Sequence, residues 1–475
     1  MKLALLLCYF ATWAFIPHLL LLRKRPTATL SWLWAILFMP IVGGLAYFAI
    51  GNDRLRRRRL KRRRLFTARP SRLEGPASTT DEPTATLLSS LPGRERQFLQ
   101  LVSRINQLPL SSADGIRLLR NAGAFYSALE ERIRQARHHI HLEFYLWNDD
   151  ETGERFVRLL TDAVRRGVTV RLLLDGVGAR GFNVSRLGDF RKSGGHFSWF
   201  QSLAPTRNRF FLNLRNHRKL QIIDGNVAFV GGMNIGREYE GSDPELGHWR
   251  DVQVEVTGSI ASELQEVFVD DWCFATGEKF SGRGYFPDAS PVPCCPVHIV
   301  LGGPDRDNEP MSKSVVSLIS AAQQRVWIGT GYFVPDDVLL SALALAAHRG
   351  VDVRLLVSEK NDHPWLVTVG RSYYSELLTA GVRLFEYSAG INHAKVTVMD
   401  EDWTMVGSAN LDYRSMRLNF ELNLLVHSRE QTTALARILE HDFELSQEII
   451  PTNFARRPFR QKFAEAALRP LSPLL

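Results

Sequence analysis

Cysteine is scarce. The four present are Cys8, Cys273 and the neighbours Cys294 and Cys295. They are too few and too irregularly spaced for a disulfide framework or a Cys/His zinc site. They read as reduced, structural thiols of a protein facing the cytosol. The acidic residues form no cluster of the kind that holds magnesium, so neither metal nor other cofactor is expected. Acidic side chains are almost missing from residues 1–64, which hold thirteen Lys and Arg and only Asp53. The 475-residue chain carries +9 in total, so residues 65–475 sum to −3. Nucleic-acid enzymes spread positive charge over the folded body. This chain does not, and nucleic acid is not an expected partner.

Charge of either sign is absent from two long runs, residues 3–22 and 27–52. Each is long enough to cross a hydrocarbon core, and Pro17 and Pro40 are tolerable there. A short link, Arg23-Lys24-Arg25-Pro26, allows a hairpin, and Trp32 and Trp34 suit the headgroup zone. No small-x-small cleavage site comes after the first run, and a second run adjoins it, which argues against a removed signal peptide. Residues 54–64 then carry nine positive charges. The positive-inside rule places that block and the rest of the chain in the cytoplasm, and the block would attract anionic lipid. The three positives of the link pull the other way, so a re-entrant first run stays open. Residues 65–95 are rich in Pro, Ser, Thr and Gly and lack periodicity, which predicts a flexible tether.

Beyond the tether the chain repeats itself. A predicted helix over 124–136 leads into a strand over 139–146. An amphipathic helix over 156–166 ends at Gly167 before a strand over 168–174. The second half repeats this with strand 325–330, helix 336–349, Gly350 and strand 351–357. Duplicated βα units predict an α/β fold of two lobes with mixed β-sheets flanked by helices, behind an N-terminal transmembrane hairpin. The expected boundaries are 96–290 and 291–475.

The repeat carries a chemical phrase. His217, Lys219, Asp224 and Asn234 recur at identical spacing as His393, Lys395, Asp400 and Asn410. His and Lys two apart on a strand project from the same face. A phosphodiester is already negative, so a site acting on it must neutralise charge, supply a nucleophile and protonate the leaving alkoxide. Lysine offers a point charge and asparagine a neutral donor. A neutral imidazole can attack phosphorus, and a second imidazole can serve as acid and then base. A lone histidine on a strand is more often structural; two copies of the whole pattern reverse that.

Asp224 and Asp400 complete the catalytic phrase but sit in turns, where backbone hydrogen bonding is their natural job. Each histidine also needs an orienting partner on its other nitrogen. Asp251, following His217, and Glu421, following His393, are the candidates. Softer candidates for substrate contact are Glu143, Tyr145, Tyr332, Arg215, Asn216 and Arg414.

The paired pattern resembles the phospholipase D superfamily. The two apolar runs, residues 215–225 (Arg-Asn-His-Arg-Lys-Leu-Gln-Ile-Ile-Asp-Gly) and residues 407–415 (Gly-Ser-Ala-Asn-Leu-Asp-Tyr-Arg-Ser) resemble its bacterial cardiolipin synthase branch. Gly329-Thr330-Gly331 stands where Thr-Thr-Pro is more usual there. The resemblance implies a phosphatidyl transfer between two phosphatidylglycerol molecules at the inner membrane. It makes His217 the nucleophile and His393 the acid and base. Within the superfamily, a hydrolase or a transferase using another alcohol remains open. Outside it, a membrane-attached nuclease or a lipid-binding scaffold is the rival.

Overall fold

The computed structural model describes residues 12–13, 15–21, 26–50, 82–201, 215–241, 247–282, 284–287, 293–306, 308–361 and 363–474. Both repeats lie in one compact unit, within residues 65–202 and 215–475. Each repeat builds one mixed sheet. The first has seven strands in the order Gly115–Arg120, Val252–Thr257, Val227–Gly231, Leu220–Ile223, His139–Phe144, Thr169–Leu174 and His196–Trp199. The four strands up to Leu220–Ile223, and its pairing with His139–Phe144, are antiparallel; the last three run parallel. The second sheet repeats that order with Cys295–Gly302, Glu421–His427, Trp403–Gly407, Val396–Met399, Arg325–Gly329, Asp352–Ser358 and Arg383–Tyr387. Ser111–Ala113 and Ser446–Glu448 extend its two edges.

The parallel crossings are helical because a strand cannot return parallel without a long connection. Helix Glu151–Arg165 starts where Asp150 accepts from the Gly153 N–H, and Asp337–His348 starts where Asp336 accepts from that of Leu339. Gly167 and Gly350 follow these helices at φ of 91° and 86°, a conformation that costs glycine little. Phe156 and Leu160 enter the first lobe's core, and Leu339 and Leu343 that of the second.

Two sequence expectations need correction. The tether over 65–95 gives way to helix at Glu82–Ser90, with residues 65–81 outside the described part. Thr84 and Leu88, one turn apart, are buried, and Thr84 Oγ1 lies 2.8 Å from Ser112 Oγ. The first lobe does not begin at 96. Helix Gly93–Asn106 puts Phe98, Leu99 and Val102 into the second lobe's core, and Ser111–Ala113 pairs with Cys295–Gly302. The first sheet starts at Gly115.

At the N-terminus, residues 26–50 form two helices, Pro26–Phe38 and Pro40–Ile50. They part at Met39 because Pro40 lacks an N–H and crowds the preceding turn. No helix among the described residues is long and apolar enough to cross a membrane. The expected hairpin lies partly outside the described residues, and the Arg-rich block 54–64 wholly so.

Two short contacts stitch the lobes together. Gly390–Asn392 pairs in parallel with His248–Arg250, and Asn216 bridges Phe420. Both lead directly into the residues of the repeated phrase.

Candidate active site

His217 and His393 each precede the first strand of a hairpin, Leu220–Ile223 or Val396–Met399. Each backbone is hooked to the opposite lobe. The His217 N–H donates to Phe420 O at 2.9 Å, and the His393 N–H donates to Arg250 O at 2.7 Å. The acceptors are the residues just before Glu421 and Asp251. The carboxylates therefore cross over. Glu421 sits 3.1 Å from His217 Nδ1, and Asp251 2.8 Å from His393 Nδ1. Each lobe supplies the histidine of one pair and the acid of the other.

Both acids have no exposed surface, and the histidines are nearly enclosed. An ionised carboxylate only accepts, so each Nδ1 carries the proton and each Nε2 keeps its lone pair. The acids are fixed in turn. Ser408 Oγ donates to Glu421 at 2.5 Å, and Asn419 Nδ2 donates at 3.2 Å. Asp251 accepts from the Val252 N–H at 2.7 Å. Gly232 stands in the first motif where Ser408 stands in the second. A Cβ there would fall 2.5 Å from Asp251 Oδ1, so that position must stay bare.

Lys219 is fully buried and Lys395 nearly so. Each ammonium donates to the carbonyl of its own histidine, Lys219 at 2.8 Å. Burial pulls Lys219 down to about 7, with Glu421 opposing the shift and Lys395 adding to it. Burial also lowers both imidazoles, His393 to about 4 with help from Lys395, while Glu421 and Asp251 oppose. Burial alone would raise Glu421; its pairing with His217, the Lys219 charge and the Ser408 hydrogen bond hold it below the usual range. Two neutral imidazoles and two lysines thus share one electrostatic environment.

The asparagines differ. Asn234 Oδ1 accepts from the Leu146 N–H at 3.1 Å and its Nδ2 donates to Tyr239 OH at 2.9 Å, leaving one N–H. Asn410 Oδ1 is buried without a partner. Asp224 and Asp400, expected among the catalytic residues, lie beyond the far ends of the hairpin strands. Asp224 accepts from the N–H groups of Arg137, His138 and His139, and Asp400 from those of Gln323, Gln324 and Arg325. They anchor the next strand rather than touch the site.

Sequence reasoning missed the buried arginines. Arg218 pairs with Asp271 and donates to Glu421 O at 3.3 Å. Arg250 pairs with Asp442 at 2.8 Å and donates to Asp251 O at 2.7 Å. Each ion pair braces the backbone of one orienting acid. Glu143 accepts from Asn216 Nδ2; burial and then Asp271 push its carboxyl well up. The available signal was a carboxylate in step with a helix's buried face: Asp271 with Leu264 and Phe268, Asp442 with Leu435 and Leu439.

Two mixed sheets with paired His-x-Lys strands meeting at one site define an enzyme of the phospholipase D superfamily. Residues 129–272 and 315–443 match the family model described as "Cardiolipin synthase, PLD-like domain", and residues 10–52 match "Phospholipase_D-nuclease N-terminal". A cardiolipin synthase of Geobacillus kaustophilus is 36% identical over 460 residues, covering 95% of this chain and 90% of its own. One from Halalkalibacterium halodurans is 34% identical over 471 residues, covering 98% and 92%. The phosphatidylserine synthase structure of Haemophilus influenzae shares the fold, with TM-score 0.61 and 16% identity over 81% of this chain and 100% of that one. The chain belongs to the cardiolipin synthase family of phospholipase D-like enzymes.

Proposed function

We propose that the protein moves a phosphatidyl group from one phosphatidylglycerol to the terminal glycerol hydroxyl of another. His217 Nε2 attacks phosphorus as the P–O bond to the departing glycerol breaks, and His393 gives that oxygen its proton. His393 then takes the proton of the acceptor hydroxyl. The new P–O bond forms as the P–N bond to His217 breaks, giving cardiolipin and returning His217 to a neutral imidazole and His393 to its protonated starting form. Lys219 and Lys395 balance the phosphoryl charge, with Asn410 and the remaining N–H of Asn234 as neutral donors. One diester replaces another, so no nucleotide is consumed.

The observation that carries this reading is the crossed pairing. Two imidazoles have Nδ1 held by buried carboxylates, which leaves two Nε2 atoms for one phosphorus. His393 must begin protonated. Burial disfavours that, and a bound anionic diester offsets the cost by adding negative charge beside it. Residues 1–64 would keep the site at the cytoplasmic face of the inner membrane, where lipid hydroxyls are dense and water is limited. The test is incubation of the full chain with phosphatidylglycerol vesicles in chelator, with lipids identified by mass spectrometry. Cardiolipin and free glycerol are expected. Phosphatidic acid alone would identify a hydrolase.

A further inference from the structure

The two halves of the site are chemically unequal. Two residues before His217 stands Arg215; two before His393 stands Ile391, buried in the first lobe's core. Four residues after Asn410 stands Arg414; four after Asn234 stands Glu238. Arg215 comes from the first motif and Arg414 from the second, and the matching positions of the opposite motifs hold an apolar side chain and a carboxylate.

Tyr145 marks where the cations converge. Its ring stands edge-on to His217 at 4.9 Å and lies against Gly178, whose added Cβ would fall 2.6 Å from it. Arg215, Arg414 and the exposed Arg180 all act on its hydroxyl electrostatically. Arg215, His217 and Lys219 alternate along one extended segment and so share a face. Asn216 and Arg218, between them, turn inward to Glu143 and Asp271. Arg414 donates to Asn419 Oδ1 at 3.4 Å, and Asn419 donates to Glu421, so one chain of bonds runs from this guanidinium to His217. Asp175 and Asp412 are also near, where Asp175 accepts from the N–H groups of Asn216, Val177 and Gly178 and Asp412 from that of Ser415; the three guanidiniums outnumber these two carboxylates. Burial, and then the Arg215 charge, lower Arg414, as expected when two guanidiniums crowd.

Lys219 and Lys395 already serve the reacting phosphate. A second cationic set at the rim, able to grip an anion in bidentate fashion, calls for a second anion. On the proposed function, the acceptor carries one, a glycerol away from its attacking hydroxyl. We infer that Arg215 and Arg414, with Arg180 beside them, form a subsite for the unreacting phosphate of the acceptor lipid. The subsite selects an anionic lipid acceptor over a neutral alcohol.

The test uses the full chain, phosphatidylglycerol vesicles and labelled free glycerol in one reaction. Cardiolipin reports transfer to the anionic acceptor, and labelled phosphatidylglycerol reports transfer to the neutral one. In the Arg215→Gln/Arg414→Gln protein the ratio of cardiolipin to labelled lipid should fall roughly tenfold or more, the scale of a lost charged hydrogen bond. The Arg215→Lys/Arg414→Lys protein should recover part of it, because charge remains. An unchanged ratio would overturn the subsite. So would equal loss of both products, which would mean that the arginines serve the fold or attract the bilayer surface generally. A wild type that labels phosphatidylglycerol without forming cardiolipin would sink the function reading itself, and the subsite with it.

Discussion

Asp251 and His393 are 142 residues apart in sequence, and Glu421 and His217 are 204 apart, yet each pair is in hydrogen-bond contact. The sequence exposed all four residues but not who meets whom. Each acid follows a histidine along its own half, which suggests pairing within a lobe. The lobe interface reverses this, because the segment before each acid is bonded to the backbone of the opposite histidine. The crossing makes each acid specific to one chemical role. Asp251→Asn keeps the shape but replaces an obligate acceptor with an amide, so His393 can take the wrong tautomer. Turnover should fall by about two orders of magnitude or more, with little change in melting temperature. Steady-state kinetics beside a thermal melt would check it; loss of turnover matched by loss of fold would refute a tautomer role. Ser408 and Gly232 were invisible as supports, because their work depends on a partner whose position no local pattern reveals.

At the scale of elements, periodicity located most of the site. The alternation that follows Lys219 and Lys395 in the sequence corresponds to the hairpin strands Leu220–Ile223 and Val396–Met399. The misread elements were the ones without a local signature. Helix Glu82–Ser90 has a tether's composition, and Ser111–Ala113 is too short to show alternation; tertiary packing on the second lobe decides both. The turn aspartates give a clean separation of structure from chemistry. Asp224 and Asp400 adopt φ of 53° and 50° and each satisfies three backbone N–H groups. Asp224→Ala strands those donors and puts a less suitable residue in the left-handed region. Stability should drop by about 2 kcal/mol or more, while the folded fraction keeps its turnover. Denaturant titration with activity per folded molecule would measure both, and a loss of turnover without loss of stability would contradict the anchoring role.

For the whole molecule, the two lobes are locked by buried charge as well as by strands. Arg250 and Asp442 come from different halves and neither is more than slightly exposed. Asp442→Asn leaves a guanidinium buried without its counter-ion, which costs about 3–5 kcal/mol. Chemical unfolding should show it, and a shift under 1 kcal/mol, roughly what an exposed pair contributes, would mean the pair is solvated. Acid should also loosen the molecule. Burial holds His298, His139 and His393 at about 4, well below the 6.5 of a free imidazole. Between those values the unfolded chain binds more protons than the folded one. Stability is therefore full above pH 6.5 and declines as pH falls toward 4, by up to about 3 kcal/mol per histidine. His298→Phe should flatten that decline, at the cost of its hydrogen bond to Pro109 O. Melting temperature against pH would show it, and an equally steep decline in the variant would assign the effect elsewhere.

The most direct measurement is to find the covalent intermediate. The full chain would be mixed with phosphatidylglycerol vesicles, quenched within milliseconds in alkaline denaturant to spare a phosphohistidine, digested, and mapped by mass spectrometry. A phosphatidyl group is expected on His217, with less of it when Glu421 is changed to Gln. A group on His393 would reverse the two roles, and turnover with no adduct on either histidine would contradict the covalent route.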